Sequence, residues 1–169
     1  MNKQYYISEA KRAANIQINE LKKIKKIFNK SFIKAVDLIL NCKGKIIFAG
    51  IGKSGLIARK ISATFSSVGI PSFFCDPAQA LHGDMGQIEK KDILIIFSYS
   101  GNTSELTNMI KYANRYSIKI IGIASKPDSI LLKASDIKLI LPKVKESDVT
   151  GMVPTSSTSI TLLLGDCLA

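Results

Sequence analysis

The residues of this 169-residue chain most able to do chemistry lie in three short polar stretches: "GIGKSG" (50–55), "SYSGNTSE" (98–105) and "PTSSTS" (154–159). Gly52 and Gly55 flank Lys53 and Ser54, so a cation and unobstructed backbone N–H groups sit where a ligand can approach closely. In the second stretch Ser98, Ser100, Gly101 and Thr103 bring hydroxyls and a glycine just ahead of Glu105. Such a strand-to-helix junction favours an anion, through its N–H groups and the positive end of the helix dipole. Capping by Asn102 or Thr103 explains one of these residues but leaves the others unexplained. Thr155, Ser156, Ser157 and Thr158 read either as a capping segment or as further hydroxyl ligands. Three such helix starts converge above the C-terminal edge of a parallel sheet, where open α/β folds bind ligands. The chemistry implied is recognition of a phosphate-bearing molecule.

Whose phosphate is a separate question, because the first stretch overlaps two nucleotide motifs. A triphosphate loop ending in Gly52-Lys53-Ser54 needs a glycine at position 47, which is Ile47, so that reading fails. The dinucleotide fingerprint G-x-G-x-x-G is met by Gly50, Gly52 and Gly55, with Asp76 following Gly55 by 21 residues to hold a ribose hydroxyl. Lys53 stands where a small or apolar residue is expected, and this reading leaves the second polar loop without a purpose.

Composition narrows the classes. The chain is 46% hydrophobic and 22% charged, which suits one globular domain and argues against disorder. No apolar run reaches the roughly 18 residues of a membrane span, and the N-terminal stretch carries no signal-peptide core, so a cytoplasmic protein with no membrane partner is expected. Cys42, Cys75 and Cys167 have no C-x-x-C spacing, and His82 is the one histidine, so neither a disulfide framework nor a structural metal site is expected. The net charge of +11 comes from dispersed lysines, and "LKKIKKIFNK" reads as a solvated helix face; small anionic substrates fit it and no nucleic-acid partner is expected.

The elements that must position these residues follow from periodicity. Ile7, Ala10, Ala14, Ile18, Leu21, Ile24 and Phe28, then Phe32, Ala35, Val36 and Ile39, have helical spacing and predict two helices broken near Asn29-Lys30-Ser31. These N-terminal helices, residues 1–40, are expected to pack on the core formed by residues 41–169 and to supply an oligomer interface. Beyond them, apolar runs at 45–50, 71–75, 92–98, 119–125 and 137–142 predict buried strands, with helices at 54–68, 103–116 and about 128–134 as crossovers. The expected fold class is α/β: a three-layer sandwich in which helices flank a five-stranded parallel sheet on both sides. A last helix starts near Thr155, with Ile160, Leu163, Leu164 and Leu168 on its apolar face, and runs to the end of the sequence without a capping signal, as if cut within the helix.

Taken in this order and spacing, "GIGKSG", "SYSGNTSE" and "PTSSTS" resemble a sugar isomerase (SIS) domain, and "FFCDPAQALHGDMG" (73–86) is similar to its arabinose-5-phosphate isomerase branch. The resemblance implies a flavodoxin-like doubly wound fold, no cofactor, a homotetramer with sites at subunit interfaces, and interconversion of ribulose 5-phosphate and arabinose 5-phosphate for lipopolysaccharide synthesis. It also implies a CBS-domain pair and a catalytic histidine in sequence beyond Ala169. Four residues match positions implicated in catalysis: Lys53, His82, Glu105 and Glu146.

An aldose–ketose isomerase needs a base near the carbon acid and donors for the enediolate oxygens. Lys53 suits the phosphate or the oxyanion; Glu105 and Glu146 suit the base and its partner; His82, near Asp84, suits hydroxyl positioning or proton transfer. Each also has a plain reading. Lys53 is a loop lysine, Glu105 complements a helix dipole, and Glu146 in "KVKESD" belongs to a solvated charge cluster. A non-catalytic sugar-phosphate sensor is the alternative function.

Overall fold

The computed structural model describes residues 3–169; Met1 and Asn2 of the N-terminal segment lie outside them. Five strands, β1 (Ile46–Gly50), β2 (Ser72–Phe74), β3 (Ile93–Phe97), β4 (Lys119–Ala124) and β5 (Ile137–Ile140), form one sheet in the order β2-β1-β3-β4-β5. All pairings are parallel. Every residue of β1 and β3 is buried, which is why their runs are continuously apolar.

Alternating side chains divide the core into two layers. On one face Ile46, Phe48, Ile95, Phe97 and Ile123 meet Ala35 and Ile39 of α2 (Lys30–Leu40), Ala58, Ile61 and Phe65 of α3 (Gly52–Ser67), and Ile160 and Leu164 of α7 (Ser156–Leu168). On the other, Ile47, Leu94, Ile96 and Ile120 meet Leu106, Met109 and Ala113 of α5 (Leu106–Arg115) and Leu131 and Leu132 of α6 (Ile130–Ala134). Strand order reverses direction between β1 and β3, so right-handed crossovers send α3 to one face and α5 and α6 to the other. The C-terminal ends of β1 and β3 flank that switch point.

The N-terminal segment departs from its expected packing. The break falls at Asn29, whose side chain accepts from the Ser31 N–H at 2.8 Å and caps α2. Ahead of it, α1 (Lys3–Leu21) continues into a 3-10 helix, Lys22–Ile27. Ile24 is buried, but Ile7 and Ile18 are about half exposed and α1 buries no residue fully. Its periodic apolar stripe does not enter the core, because polar side chains hold α1 against α7 and the segment preceding it. Two short helices, α4 (Pro77–Ala80) and a 3-10 turn at Asp84–Gln87, occupy the stretch read as a loop around His82.

Candidate active site

The glycines at the end of β1 have packing reasons of their own. A Cβ on Gly55 meets the Gly50 carbonyl oxygen at 2.6 Å, and one on Gly50 meets the Ser54 backbone at 2.9 Å, so α3 starts tight against its strand. Gly52 has φ +57°, a left-handed turn with open space beside it. This turn places Lys53 in the first turn of α3, exposed, with Ser54 next to it. Asp76, the residue positioned for a ribose, caps α4 by accepting from the Ala78 N–H at 2.9 Å.

Lys53 and Ser54 line a cavity of about 480 Å³ together with Tyr99, Glu146, Ser157, Thr158 and Thr161. Ile51, Ile57 and Val144 give it apolar wall. A cation, a carboxylate and several hydroxyl groups, brought from the ends of β1 and β3, the β5–α7 segment and α7, thus share one cleft.

Glu146 is the most elaborately held of these groups. Its Oε2 accepts from the Thr155 N–H at 2.7 Å, the Thr155 hydroxyl at 3.0 Å and the Ser157 N–H at 3.2 Å. The carboxylate therefore sits on the unpaired N–H groups at the start of α7, where helix dipole and orphan donors both favour negative charge. Burial pushes its pKa up, but the Ser157 and Thr155 donors outweigh it, so the carboxyl lies below the ordinary glutamate range. Oε1 takes no hydrogen bond within 3.5 Å among the described residues. The Thr155 hydroxyl, one of the expected ligands, is committed: besides donating to Glu146 it accepts from the Ser147 N–H at 2.8 Å. Ser156 is fully buried, with its Oγ unpaired among the described residues, and does not line the cavity.

Tyr99 is the cavity residue that sequence reasoning missed. Its hydroxyl donates to the Pro142 carbonyl at 3.2 Å and accepts from the Val144 N–H at 3.0 Å, fixing the segment that leads to Glu146. Burial and the neighbouring Glu146 charge hold the phenol proton on, raising its pKa. The signal was present in "SYSG": a buried strand that runs out as Ser-Tyr-Ser alternates sides, and only the tyrosine is long enough to reach the next loop.

The serine-rich loop itself stands apart from this cavity. Ser98 is buried; its hydroxyl pairs with Thr103 Oγ1 at 2.8 Å and accepts from the Gly101 N–H at 3.1 Å. Ser100 Oγ accepts from the Asn102 N–H at 3.3 Å, and the Asn102 side chain caps α6 rather than α5 by accepting from the Ile130 N–H at 2.9 Å. Gly101 needs its φ of +69° and has Ser129 packed against it. Helix α5 consequently begins at Leu106, later than expected, and Glu105 lies exposed at its N-cap position. Its own backbone N–H and the Ser104 hydroxyl, which donates at 2.8 Å, lower its pKa.

His82 is exposed in the turn after α4 and lines none of the described cavities. Asp84, expected to orient it, instead accepts from Gln87 Nε2 at 3.3 Å, because the 3-10 turn brings position 87 over position 84. Of the four candidate catalytic residues, the fold brings together Lys53 and Glu146, and leaves Glu105 and His82 outside their cleft. No group of three or more His, Cys, Asp or Glu side chains gathers as metal ligands among the described residues. None of the helices there is long and apolar enough to cross a membrane.

The family described as SIS domain matches residues 39–169. Arabinose 5-phosphate isomerase KdsD of Shigella flexneri is 42% identical over 149 residues, 88% of this chain and 45% of the relative. The protein of the same name in Pseudomonas aeruginosa is 38% identical over 164 residues, 97% of this chain and 50% of the relative. The chain thus spans about half the length of these curated relatives. Among solved structures, E. coli CFT073 c3406 in complex with arabinose 5-phosphate superposes with a TM-score of 0.95 at 32% identity, over 99% of this chain and 89% of that one.

Proposed function

This chain belongs to the SIS domain family, and on that premise we propose that it binds a sugar phosphate and interconverts ribulose 5-phosphate and arabinose 5-phosphate through an enediol. One observation carries the reading: Lys53 and Glu146 line the same cleft, and Glu146 is pinned through Oε2 while Oε1 has no partner within 3.5 Å among the described residues. Oε1 is the oxygen left to take the proton from C1 of the ketose. Electron density then moves to O2, and the Lys53 ammonium stabilises that oxygen as the 1,2-enediolate forms. Return of the proton to C2, with the O1 proton passed to O2, gives the aldose. The lowered Glu146 pKa keeps the base ionised at neutral pH. No cofactor is needed for the balance.

The hydroxyls of Ser54, Ser157 and Thr158 fit sugar hydroxyls at this cleft, and the Ser98–Thr103 loop is the proposed phosphate seat. Its internally paired hydroxyls exchange partners when an anion arrives. Glu105 at the end of that loop, and His82, take supporting roles from across it or from a second copy. A homotetramer is proposed as the working state, supported by the exposed Tyr5, Tyr6, Ile7 and Ile18 along α1; sedimentation as a monomer at micromolar concentration removes it.

The test is incubation of the chain with ribulose 5-phosphate in heavy water. Formation of arabinose 5-phosphate carrying deuterium at C2 is expected. Conversion of a different sugar phosphate instead overturns the substrate assignment, and binding without turnover favours a sensor.

A further inference from the structure

We infer that Gln17 of α1 is a positioning residue for the Glu146 carboxylate, tying the segment that carries Glu146 to the helix start that binds it. Its Nε2 donates to Ser147 Oγ at 3.1 Å, and its Oε1 accepts from Ser159 Oγ at 3.0 Å. One carboxamide thus spans the residue after Glu146 and the first turn of α7. Ser147 is only 3% exposed, and its N–H donates to the Thr155 hydroxyl that in turn donates to Glu146. Gln17, Ser147, Thr155 and Glu146 form one chain of hydrogen bonds.

Two neighbours on α1 hold the same segment. Arg12 Nη2 donates to the Ser147 carbonyl at 3.1 Å, and Glu20 Oε2 accepts from the Lys145 N–H at 3.1 Å. This accounts for a helix that buries no residue fully yet lies against α7. Among these contacts only Gln17 bridges both sides of Glu146, and only an amide offers a donor and an acceptor at once. A carboxylate whose anchor is fixed to within a fraction of an ångström keeps its free oxygen aligned with the carbon acid; a loosened one does not.

The catalytic part of this inference rests on the isomerase reading above, so the test has one readout that needs no turnover. In the full chain, Gln17→Leu, Ser147→Ala and the double variant are compared with the unaltered protein and with Asn15→Ala on an exposed position of α1. The Glu146 side-chain carbon, labelled with 13C and assigned by its loss in Glu146→Gln, is followed by NMR through an acid titration. The charged and titratable groups about it are Lys53 and Tyr99 in the cleft, Lys145 and Asp148 on its own segment, and Arg12 and Glu20 on α1; none is altered in these variants. In Gln17→Leu the midpoint is expected to move up toward the ordinary glutamate value, and kcat with ribulose 5-phosphate to fall by roughly tenfold with KM little changed. Ser147→Ala shifts both the same way, and the double variant is no worse than the poorer single, since the two side chains act as one link. Asn15→Ala changes neither.

The Glu146 midpoint decides. A midpoint in Gln17→Leu equal to that of the unaltered protein overturns the inference, as do losses that add in the double variant. If the unaltered chain isomerises nothing but the midpoint shifts as described, the positioning role stands and the proposed activity falls. Turnover that is present and untouched by Gln17→Leu, with an unmoved midpoint, leaves the activity standing and removes the role.

Discussion

Replacing Thr155 with valine tests the pinned carboxylate. Valine keeps the β-branched shape and removes the hydroxyl that donates to Glu146 Oε2 at 3.0 Å and accepts from the Ser147 N–H at 2.8 Å. A hydrogen bond to a charged acceptor is worth about 1.5–3 kcal/mol, and a buried N–H left unpaired costs about 1–3 kcal/mol. Glu146 is partly exposed, so water recovers part of the first contribution, and a net loss of about 3 kcal/mol is expected at pH 7. For a chain of this size each kcal/mol moves Tm by about 2–4 °C, which makes the drop about 6–12 °C. Thermal unfolding followed by circular dichroism, from pH 7 downward, measures it. The folded-state pKa of Glu146 lies below its ordinary 4.5. The stability it contributes is therefore complete above that value and is lost as the pH falls through the folded pKa. The gap between the two proteins should be widest at pH 7 and narrow below about pH 4.5, leaving the Ser147 contribution alone. Thr155→Ser should close most of it. An equal gap at every pH would refute the carboxylate's part, and an unchanged Tm at pH 7 would refute the whole argument.

Three other expectations follow from single contacts. Lys53→Met should lower kcat/KM for ribulose 5-phosphate by about 100-fold or more while leaving Tm within about 2 °C, because the side chain is exposed and its partner is the developing charge; steady-state kinetics and calorimetry on one preparation separate the two. Gly55→Ala should cost about 2–3 kcal/mol in urea unfolding, since the new Cβ meets the Gly50 carbonyl at 2.6 Å and backbone cannot give way there. Equal stability would return the glycine spacing to ligand approach. Asp92→Asn should cost about 2 kcal/mol at pH 7: the buried carboxylate accepts from the Lys45 and Glu89 N–H groups, each at 2.8 Å, and an amide has only one accepting oxygen. A urea midpoint equal to that of the unaltered protein would count against it.

The sheet is legible in the sequence because its strands are buried on both faces: runs such as Ile46–Phe48 and Ile93–Phe97 have nowhere else to go. Helical spacing along α1 is equally clear, yet Ile7 and Ile18 are exposed. Periodicity reports which side chains share a face and says nothing of what covers it. The short helix at Pro77–Ala80 and the 3-10 turn after it escape the pattern because one turn carries no period. At the site, Lys53 and Ser54 are legible because a glycine turn at the end of a strand is a local feature. Glu146 is the opposite case. Within "KVKESD" it is one charge among several, and what sets it apart is the start of α7, nine residues on, closing over its Oε2.

What the sequence determines by itself is therefore what short-range sterics and burial enforce: the strands, most of the helices, and the polar loops that end up at the C-terminal edge of the sheet. Which polar residues share a cleft was decided only by tertiary structure. Tyr99 leaves the serine loop for the Glu146 segment, Ser98 and Thr103 turn to each other, and a helix ahead of the domain reaches Ser147 across 130 residues of sequence. Hydrogen bonds of that span depend on how the layers pack, and packing is a property of the whole chain that no local run of residues encodes.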